Sequence, residues 1–195
     1  MDRTEDMSKI YGDIHFCTKC GLWQDRIQPI LGEGNINADI MFTGESPGKD
    51  EDEQGRPFVG KSGKLLTKLI FKAGLTREDV YISNICKCRP PDNRTPTVNE
   101  MKACLPFLLK QIRIIRPRVV IALGSVAAKT LLNDYSIKIT KIRGKLYDVN
   151  NDGLSFKLMP TFHPSYILRK GESKEFVNCS VNDIKKAIEY AKETK

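Results

Sequence analysis

Apolar residues in this chain gather into short blocks, set apart by glycine, proline and charged clusters, and their spacing changes from block to block. Ile40-Met41-Phe42 is a continuous apolar run that predicts a strand over 39–44. Val80-Tyr81-Ile82-Ser83-Asn84-Ile85-Cys86 predicts a second. Residues 118–124 are nearly all apolar, as in a strand covered on both faces. A last strand is expected over 157–162, ending at His163-Pro164-Ser165. Between these the period lengthens. Leu65, Leu66, Leu69 and Ile70 give helical spacing over 64–72, with Gly74 as a stop. Thr97 followed by Glu100 is a capping box opening a long helix to about Ile115. Pro106 falls inside that helix and predicts a kink or break near residues 102–105. A short helix follows over 125–132, then a β-excursion over 138–158 turning at Asn150-Asn151-Asp152-Gly153. Ile184, Ala187, Ile188 and Ala191 mark an amphipathic helix over 181–192. Strands alternating with helices predict an α/β fold, a three-layer α/β/α sandwich on a central, mainly four-stranded parallel sheet.

In such sheets ligands bind at the carboxyl ends of the strands. The chemically unusual segments fall at four strand ends: Gly44-Glu45-Ser46, Asn84, Gly124-Ser125 and His163-Pro164-Ser165. The first opens a loop over 43–63 that holds five glycines, two prolines, five carboxylates and one aromatic. Glycine permits close approach of backbone to ligand and proline removes slack, so this loop reads as the floor of an active site.

Length and charge narrow the classes. The 195 residues suit one domain spanning 1–195, with a core that needs no disulfide staples. Lys and Arg number 32 against 24 Asp and Glu, a net charge of +8 that suits a polyanionic partner such as nucleic acid. No run approaches the roughly 18 apolar residues of a membrane span. The charged start, Met1-Asp2-Arg3-Thr4-Glu5-Asp6, carries no apolar signal core, so a cytoplasmic protein with reduced thiols is expected. Six cysteines are too few for a disulfide scaffold. Cys17-x2-Cys20 and the pair Cys88 and Cys104 stand in predicted loops or helix ends and are candidate metal ligands. Spacing alone leaves zinc and an iron–sulfur cluster both open. Cys86 reads as strand core and Cys179 as a spare buried thiol.

Gly55-Arg56-Pro57-Phe58-Val59-Gly60-Lys61-Ser62 matches the phosphate-loop pattern, but its chemistry does not fit. That motif wraps a phosphate in successive backbone N–H groups directly after a buried strand. Here Pro57 lacks an N–H, Phe58 and Val59 add bulk, and the preceding residues 49–54 are charged. Nucleotide hydrolysis is set aside.

Together these segments resemble the family 4 uracil-DNA glycosylases, the iron–sulfur branch of the uracil-DNA glycosylase superfamily. The resemblance spans roughly residues 17–169. It rests on Gly44-Glu45-Ser46-Pro47-Gly48, Gly55-Arg56-Pro57-Phe58-Val59-Gly60, Tyr81-Ile82-Ser83-Asn84, Lys87-Cys88-Arg89-Pro90-Pro91 with Asn93-Arg94, and His163-Pro164-Ser165-Tyr166-Ile167-Leu168-Arg169. It implies an enzyme that flips uracil out of DNA and hydrolyses its glycosidic bond in base excision repair. It places a [4Fe-4S] cluster on Cys17, Cys20, Cys88 and Cys104, leaving Cys86 and Cys179 unmatched. Phe58 is then expected to stack on the base over Gly44, and Asn84 to read the base edge. His163 is expected to stabilise the departing anion, and Glu45 to orient water. Glu51 resembles the residue beside C5 that excludes thymine; otherwise it is a solvated member of the 50–53 charge run. Ser46 departs from the alanine or glycine usual in the family, and is expected to hold the attacking water or alter which bases are accepted. Ser165 and Arg169 are expected on DNA phosphates, with Ile167 or Leu168 as a minor-groove wedge. The resemblance implies a monomer acting on uracil-containing DNA at the nucleoid. A binding module without catalysis is the competing class, and the joint presence of Phe58, Asn84 and His163 speaks against it.

Overall fold

Six strands, Glu33–Gly34 (β1), Ile40–Gly44 (β2), Tyr81–Asn84 (β3), Val119–Leu123 (β4), Tyr147–Asn151 (β5) and Leu154–Thr161 (β6), form one sheet in the order β1-β3-β2-β4-β6-β5 in the computed structural model, which describes residues 2–194. The four inner strands β3, β2, β4 and β6 are parallel, as the apolar runs predict. The two edges, β1 and β5, are antiparallel additions. Eight α-helices surround the sheet: Arg3–His15 (α1), Lys49–Gln54 (α2), Lys61–Lys72 (α3), Val98–Ile115 (α4), Gly124–Leu132 (α5), Ile139–Ile142 (α6), Pro164–Arg169 (α7) and Lys174–Glu193 (α8).

Period-two alternation divides the core into two layers. Ile40 and Phe42 of β2, with Val119, Ile121 and Leu123 of β4, pack toward α3, α7 and α8. Met41, Val120 and Ala122 point the other way, toward α1, α4 and α5. Both faces of the inner strands are therefore covered, and the near-continuous apolar sequence of β4 follows from that.

Several expectations are corrected. The chain before Cys17 is helical from Arg3, capped by the Asp2 carboxylate on the Thr4 N–H at 2.8 Å. Helix α4 runs unbroken through Pro106. The missing N–H orphans the Lys102 carbonyl, but both residues face solvent, where water replaces the lost bond. The excursion before β6 begins as the helical turn α6, and only 147–161 form the predicted hairpin. Its turn, Asp152-Gly153, has φ of 51° and 69°, the left-handed pair that a two-residue hairpin favours. Cys179 is half-buried and packs against the α8 face of the core.

One glycine fixes how the loop over 43–63 meets α3. A Cβ on Gly63 would lie 1.9 Å from the Phe58 carbonyl carbon and oxygen, so α3 can approach the loop only with no side chain there. Gly63→Ala is expected to cost about 1–3 kcal/mol by overpacking. Urea unfolding should show a lower midpoint with unchanged slope; an unchanged midpoint would mean that the contact is not tight.

Candidate active site

All four parallel strands end on one edge, and each contributes there. β2 ends at Gly44 and β3 at Asn84. β4 runs straight into α5 at Gly124, and β6 leads through Phe162 to His163 at the start of α7. A Cβ on Gly44 would lie 2.5 Å from both Asn84 Oδ1 and Phe58 Cζ, so an amide and an aromatic edge meet over bare backbone. The Phe58 and His163 rings are 6.0 Å apart between centroids and tilted by 38°. A Cβ on Gly124 would lie 2.7 Å from the His163 Cβ, so this glycine lets the imidazole lie against the end of β4. Phe58, Asn84 and His163 thus come from three distant parts of the chain to one place. Asn84 is 2% exposed, yet its Oδ1 has no hydrogen-bond partner within the protein. A buried acceptor left unpaired is costly, and it marks where a ligand donor belongs.

The loop carrying Phe58 is held from two sides. Phe58 has φ of 54°, a left-handed conformation costing about 1–2 kcal/mol for a non-glycine residue. Arg77 donates from Nη1 to the Phe58 carbonyl at 3.1 Å and from Nη2 to the Pro57 carbonyl at 2.8 Å. Glu51 accepts at Oε1 from the N–H groups of Val59 and Gly60, both at 2.9 Å, and at Oε2 from Gly48 N–H at 3.1 Å. Glu51 is therefore a loop clamp and not a solvated charge. Its neighbour Asp52, 1% exposed, accepts from Ile27 N–H at 3.1 Å. Arg77 is in turn paired with Glu33 at 2.5 Å, and Arg56 joins that carboxylate at 2.8 Å. Burial alone would raise the Glu33 carboxyl, but the two guanidiniums hold it below the usual range.

His163 is locked in one tautomer. Ser165 N–H donates to Nδ1 at 3.1 Å, and the Ser165 hydroxyl lies 2.7 Å from the same atom. A backbone N–H can only donate, so Nδ1 is an acceptor and the ring proton stands on Nε2. Burial, followed by the Arg169 charge, pushes the imidazole pKa down to about 4. Arg169 donates to the Ser165 hydroxyl at 3.3 Å. Glu45, Gly124, Ser125, His163, Ser165 and Arg169 border one cleft of about 240 Å³. Burial raises the Glu45 carboxyl above its usual range, offset in part by a hydrogen bond with Thr95. Ser46 beside it is half-buried. On α7, Ile167 is completely buried in the core against α3 and α8, which rules it out as a wedge into DNA. Leu168 is half-buried and Arg169 exposed.

Cys17, Cys20, Cys88 and Cys104 line a second cavity, with Trp23 and Arg26 at its side. Arg26 donates to Cys88 Sγ at 3.1 Å, and the Lys87 backbone N–H donates to Cys104 Sγ at 3.2 Å. Sulfurs that accept N–H bonds are the surroundings a thiolate-bound cluster requires. Four thiols lining one cavity, two of them accepting N–H bonds, are a donor set that suits a thiolate-bound metal centre. Arg77, Asp52 and the fully buried Lys87 were not singled out by sequence reasoning: each reads as an ordinary charge until its partners are seen.

Comparisons with known proteins point to one family. Residues 31–185 match the model of the uracil DNA glycosylase superfamily. A type-4 uracil-DNA glycosylase of Thermotoga maritima is 46% identical over 190 residues, covering 97% of each chain. One from Saccharolobus solfataricus is 42% identical over 94% of this chain and 87% of its own. A type-5 uracil-DNA glycosylase of Pyrobaculum aerophilum is more distant, at 31% over 73% of this chain and 68% of its own.

The low His163 pKa gives a direct test. The unfolded ring binds a proton near pH 6.5 and the folded one only near pH 4. Stability should be unaffected by this residue above pH 6.5 and should fall as pH drops from 6.5 toward 4, where only the unfolded chain takes up the proton. An NMR titration of the His163 ring should show a midpoint near 4, and a midpoint near 6.5 would contradict the burial argument.

Proposed function

This chain belongs to the uracil-DNA glycosylase superfamily, and within it to the type-4 enzymes, and on that footing we propose how its own residues release the base. It is a uracil-DNA glycosylase, a hydrolase of N-glycosyl bonds that acts on uracil-containing DNA and opens base excision repair. The observation that carries the assignment of its site is the unpartnered Asn84 Oδ1 beneath Phe58. Uracil presents an N3–H donor beside its O4 acceptor. The Asn84 amide offers the matching acceptor and donor, whereas cytosine offers the reverse pattern. A site that must hydrogen-bond its substrate rejects a mismatched analogue by about 10⁴-fold or more. Phe58 stacks on the extruded ring, and its clamped backbone holds that ring still while the base enters.

As the C1′–N1 bond breaks, its electron pair moves onto the uracil, and charge develops at O2. His163 is neutral with its proton on Nε2, so it donates a hydrogen bond to that oxygen without giving up a proton. The sugar carbon left behind is electron-poor and takes the oxygen of a water molecule. Glu45, with its carboxyl raised by burial, accepts the water's proton. Ser46 hydroxyl adjoins this position and helps hold the water. The clamped Glu51 carboxylate lies at the loop that covers the base and excludes the thymine methyl by bulk. Ser165, Arg169 and the half-buried Leu168 face the DNA backbone and groove beside the pocket.

Cys17, Cys20, Cys88 and Cys104 would hold a [4Fe-4S] cluster in the cysteine cavity. Through these four cysteines it would supply covalent ties joining the segment after α1 to the segment after β3 and to α4.

A single-uracil oligonucleotide, incubated with the protein and then treated with alkali, should break at the uracil. His163→Ala should lower kcat by about 10²–10³-fold, as for loss of one transition-state donor. Asn84→Ala should lower activity and narrow the preference for uracil over cytosine. Wild-type rates in both variants would remove these residues from the chemistry. Ser46→Ala should change either the rate or the range of bases cleaved, and no change in either would leave Ser46 without a role. For the cluster, purified protein should absorb in the visible, and Cys88→Ala should lose both colour and folded fraction. A colourless Cys88→Ala protein that melts and cleaves like wild type would refute the structural role.

A further inference from the structure

Lys87 presents an anomaly. Its side chain is 1% exposed, yet among the described residues no carboxylate lies within ion-pair distance. Its three ammonium protons go to three neutral oxygens: Ser83 Oγ at 2.7 Å, the Asn84 main-chain carbonyl at 2.8 Å and Gln111 Oε1 at 2.8 Å. Three donors matched to three acceptors is a complete set for an ammonium group. The opposite charges near it are the sulfurs of Cys86, Cys88 and Cys104, yet none of its three ammonium hydrogen bonds goes to them. Its location suggests what it is for.

The ammonium grips the main chain of the residue whose side chain carries the unpaired pocket acceptor. Asn84 is where β3 ends, and beyond it the chain leaves the β2 ladder after Ile85 and Cys86 have donated to the Gly44 and Glu45 carbonyls, at 2.9 and 3.0 Å. Strand pairing no longer dictates the course of the chain past that point. The Lys87 contacts reach well outside this turn. Gln111 belongs to α4 and is itself anchored by donating from Nε2 to the Leu31 carbonyl at 2.6 Å. Ser83 hydroxyl closes the triangle by donating to Gln111 Oε1 at 3.0 Å. The Lys87 backbone N–H meanwhile bonds Cys104 Sγ, also on α4.

We propose that Lys87 is a positioning residue for base recognition: its ammonium, braced against α4 through Gln111, fixes the Asn84 carbonyl and thereby the direction of the Asn84 amide over Gly44. The inference rests on the reading of Asn84 as the base reader. It assigns to the stretch from Asn84 to Cys88 a second task beside holding a cysteine of the cavity, namely carrying the rigidity of α4 to the pocket. Displacements of about 1 Å in such a group cost on the order of 10²-fold in rate.

A double-mutant cycle tests this with the full-length, cluster-loaded protein. Lys87→Met should lower kcat by about 10–100-fold, leave KM for uracil-containing DNA within about twofold, and weaken binding of free uracil, measured by calorimetry, about as much as kcat. Its visible absorbance per chain should equal that of wild type, because no sulfur ligand is removed. In an Asn84→Ala background, Lys87→Met should cost less than about twofold, since the group it positions is already gone. If Lys87→Met costs the same factor in both backgrounds, the ammonium acts on the departing base by its field or by some other route, and the positioning role is overturned. If Asn84→Ala alone is without effect, the reading of Asn84 fails first, and the two failures are told apart. Should Lys87→Met not fold, the cycle is run with Lys87→Gln, which keeps a neutral N–H donor. Failure of both variants to fold with cluster makes Lys87 a residue of core stability and overturns the proposal.

Discussion

A carbonyl oxygen of a side-chain amide, buried and without a hydrogen-bond donor, is the constraint around which this fold is arranged. Left alone, an orphaned acceptor such as Asn84 Oδ1 costs about 1–3 kcal/mol. A side chain free to turn would find water or a neighbouring N–H. It does not turn because everything around it is fixed. Gly44 removes the space a side chain would fill, Phe58 covers it, and the ladder between β2 and β3 places its Cα opposite Gly44. The parallel sheet gathers these residues because all its inner strands stop on the same edge, so positions far apart in sequence finish side by side.

Holding Phe58 over that acceptor requires a backbone conformation the residue does not prefer. Local sequence cannot stabilise it, since Pro57 and Val59 have no special liking for such a turn. Two opposite charges do so from either side. The Arg77 guanidinium takes the carbonyls of Pro57 and Phe58, and the Glu51 carboxylate takes the N–H groups of Val59 and Gly60. Each charge finds the complementary end of the peptide dipoles, so four consecutive residues have a backbone group held by a side chain from outside. Gly63 then lets α3 close against the result. The strain at Phe58 is over-determined, as strained positions at functional sites must be if they are to persist.

Much of this was legible in the sequence, for reasons that also explain what was not. The inner strands show because double-sided burial leaves no polar positions to blur the signal, and the strand ends show because glycine, asparagine and histidine are out of place in such runs. The capping box at Thr97 and the hairpin turn near Gly153 are local chemistry, and local chemistry survives in a string of letters. Helix α1 escaped because only Met7, Ile10 and Ile14 are buried, a sparse stripe in a charged segment. Ile167 was misplaced because a six-residue helix is too short for periodicity to tell the buried side from the exposed one. The clamps were invisible for a different reason. Glu51, Asp52 and Arg77 lie in charged runs, and a run of charges is identical on paper whether its members meet water or backbone. Only the partners, 8, 25 and 20 residues away along the chain, distinguish the two.

The same limit applies, in a more consequential form, to the stretch from Asn84 to Cys88. Read singly, these residues are an amide reader, two apolar or thiol fillers, a lysine and a cysteine. In three dimensions they join two sites: Asn84 Oδ1 lies with the Phe58 ring edge over Gly44, while Cys88 lines the sulfur cavity with Cys104. Only Ile85, Cys86 and Lys87 separate Asn84 from Cys88, so the bonds that order the cysteine side, Arg26 on Cys88 and the Lys87 N–H on Cys104, lie close to the end of β3. On the proposed reading of Asn84, its amide gains from standing beside a fully satisfied buried ammonium and two cysteines held by N–H bonds. The same closeness sets the candidate base-reading residue and a candidate metal ligand four positions apart in the chain.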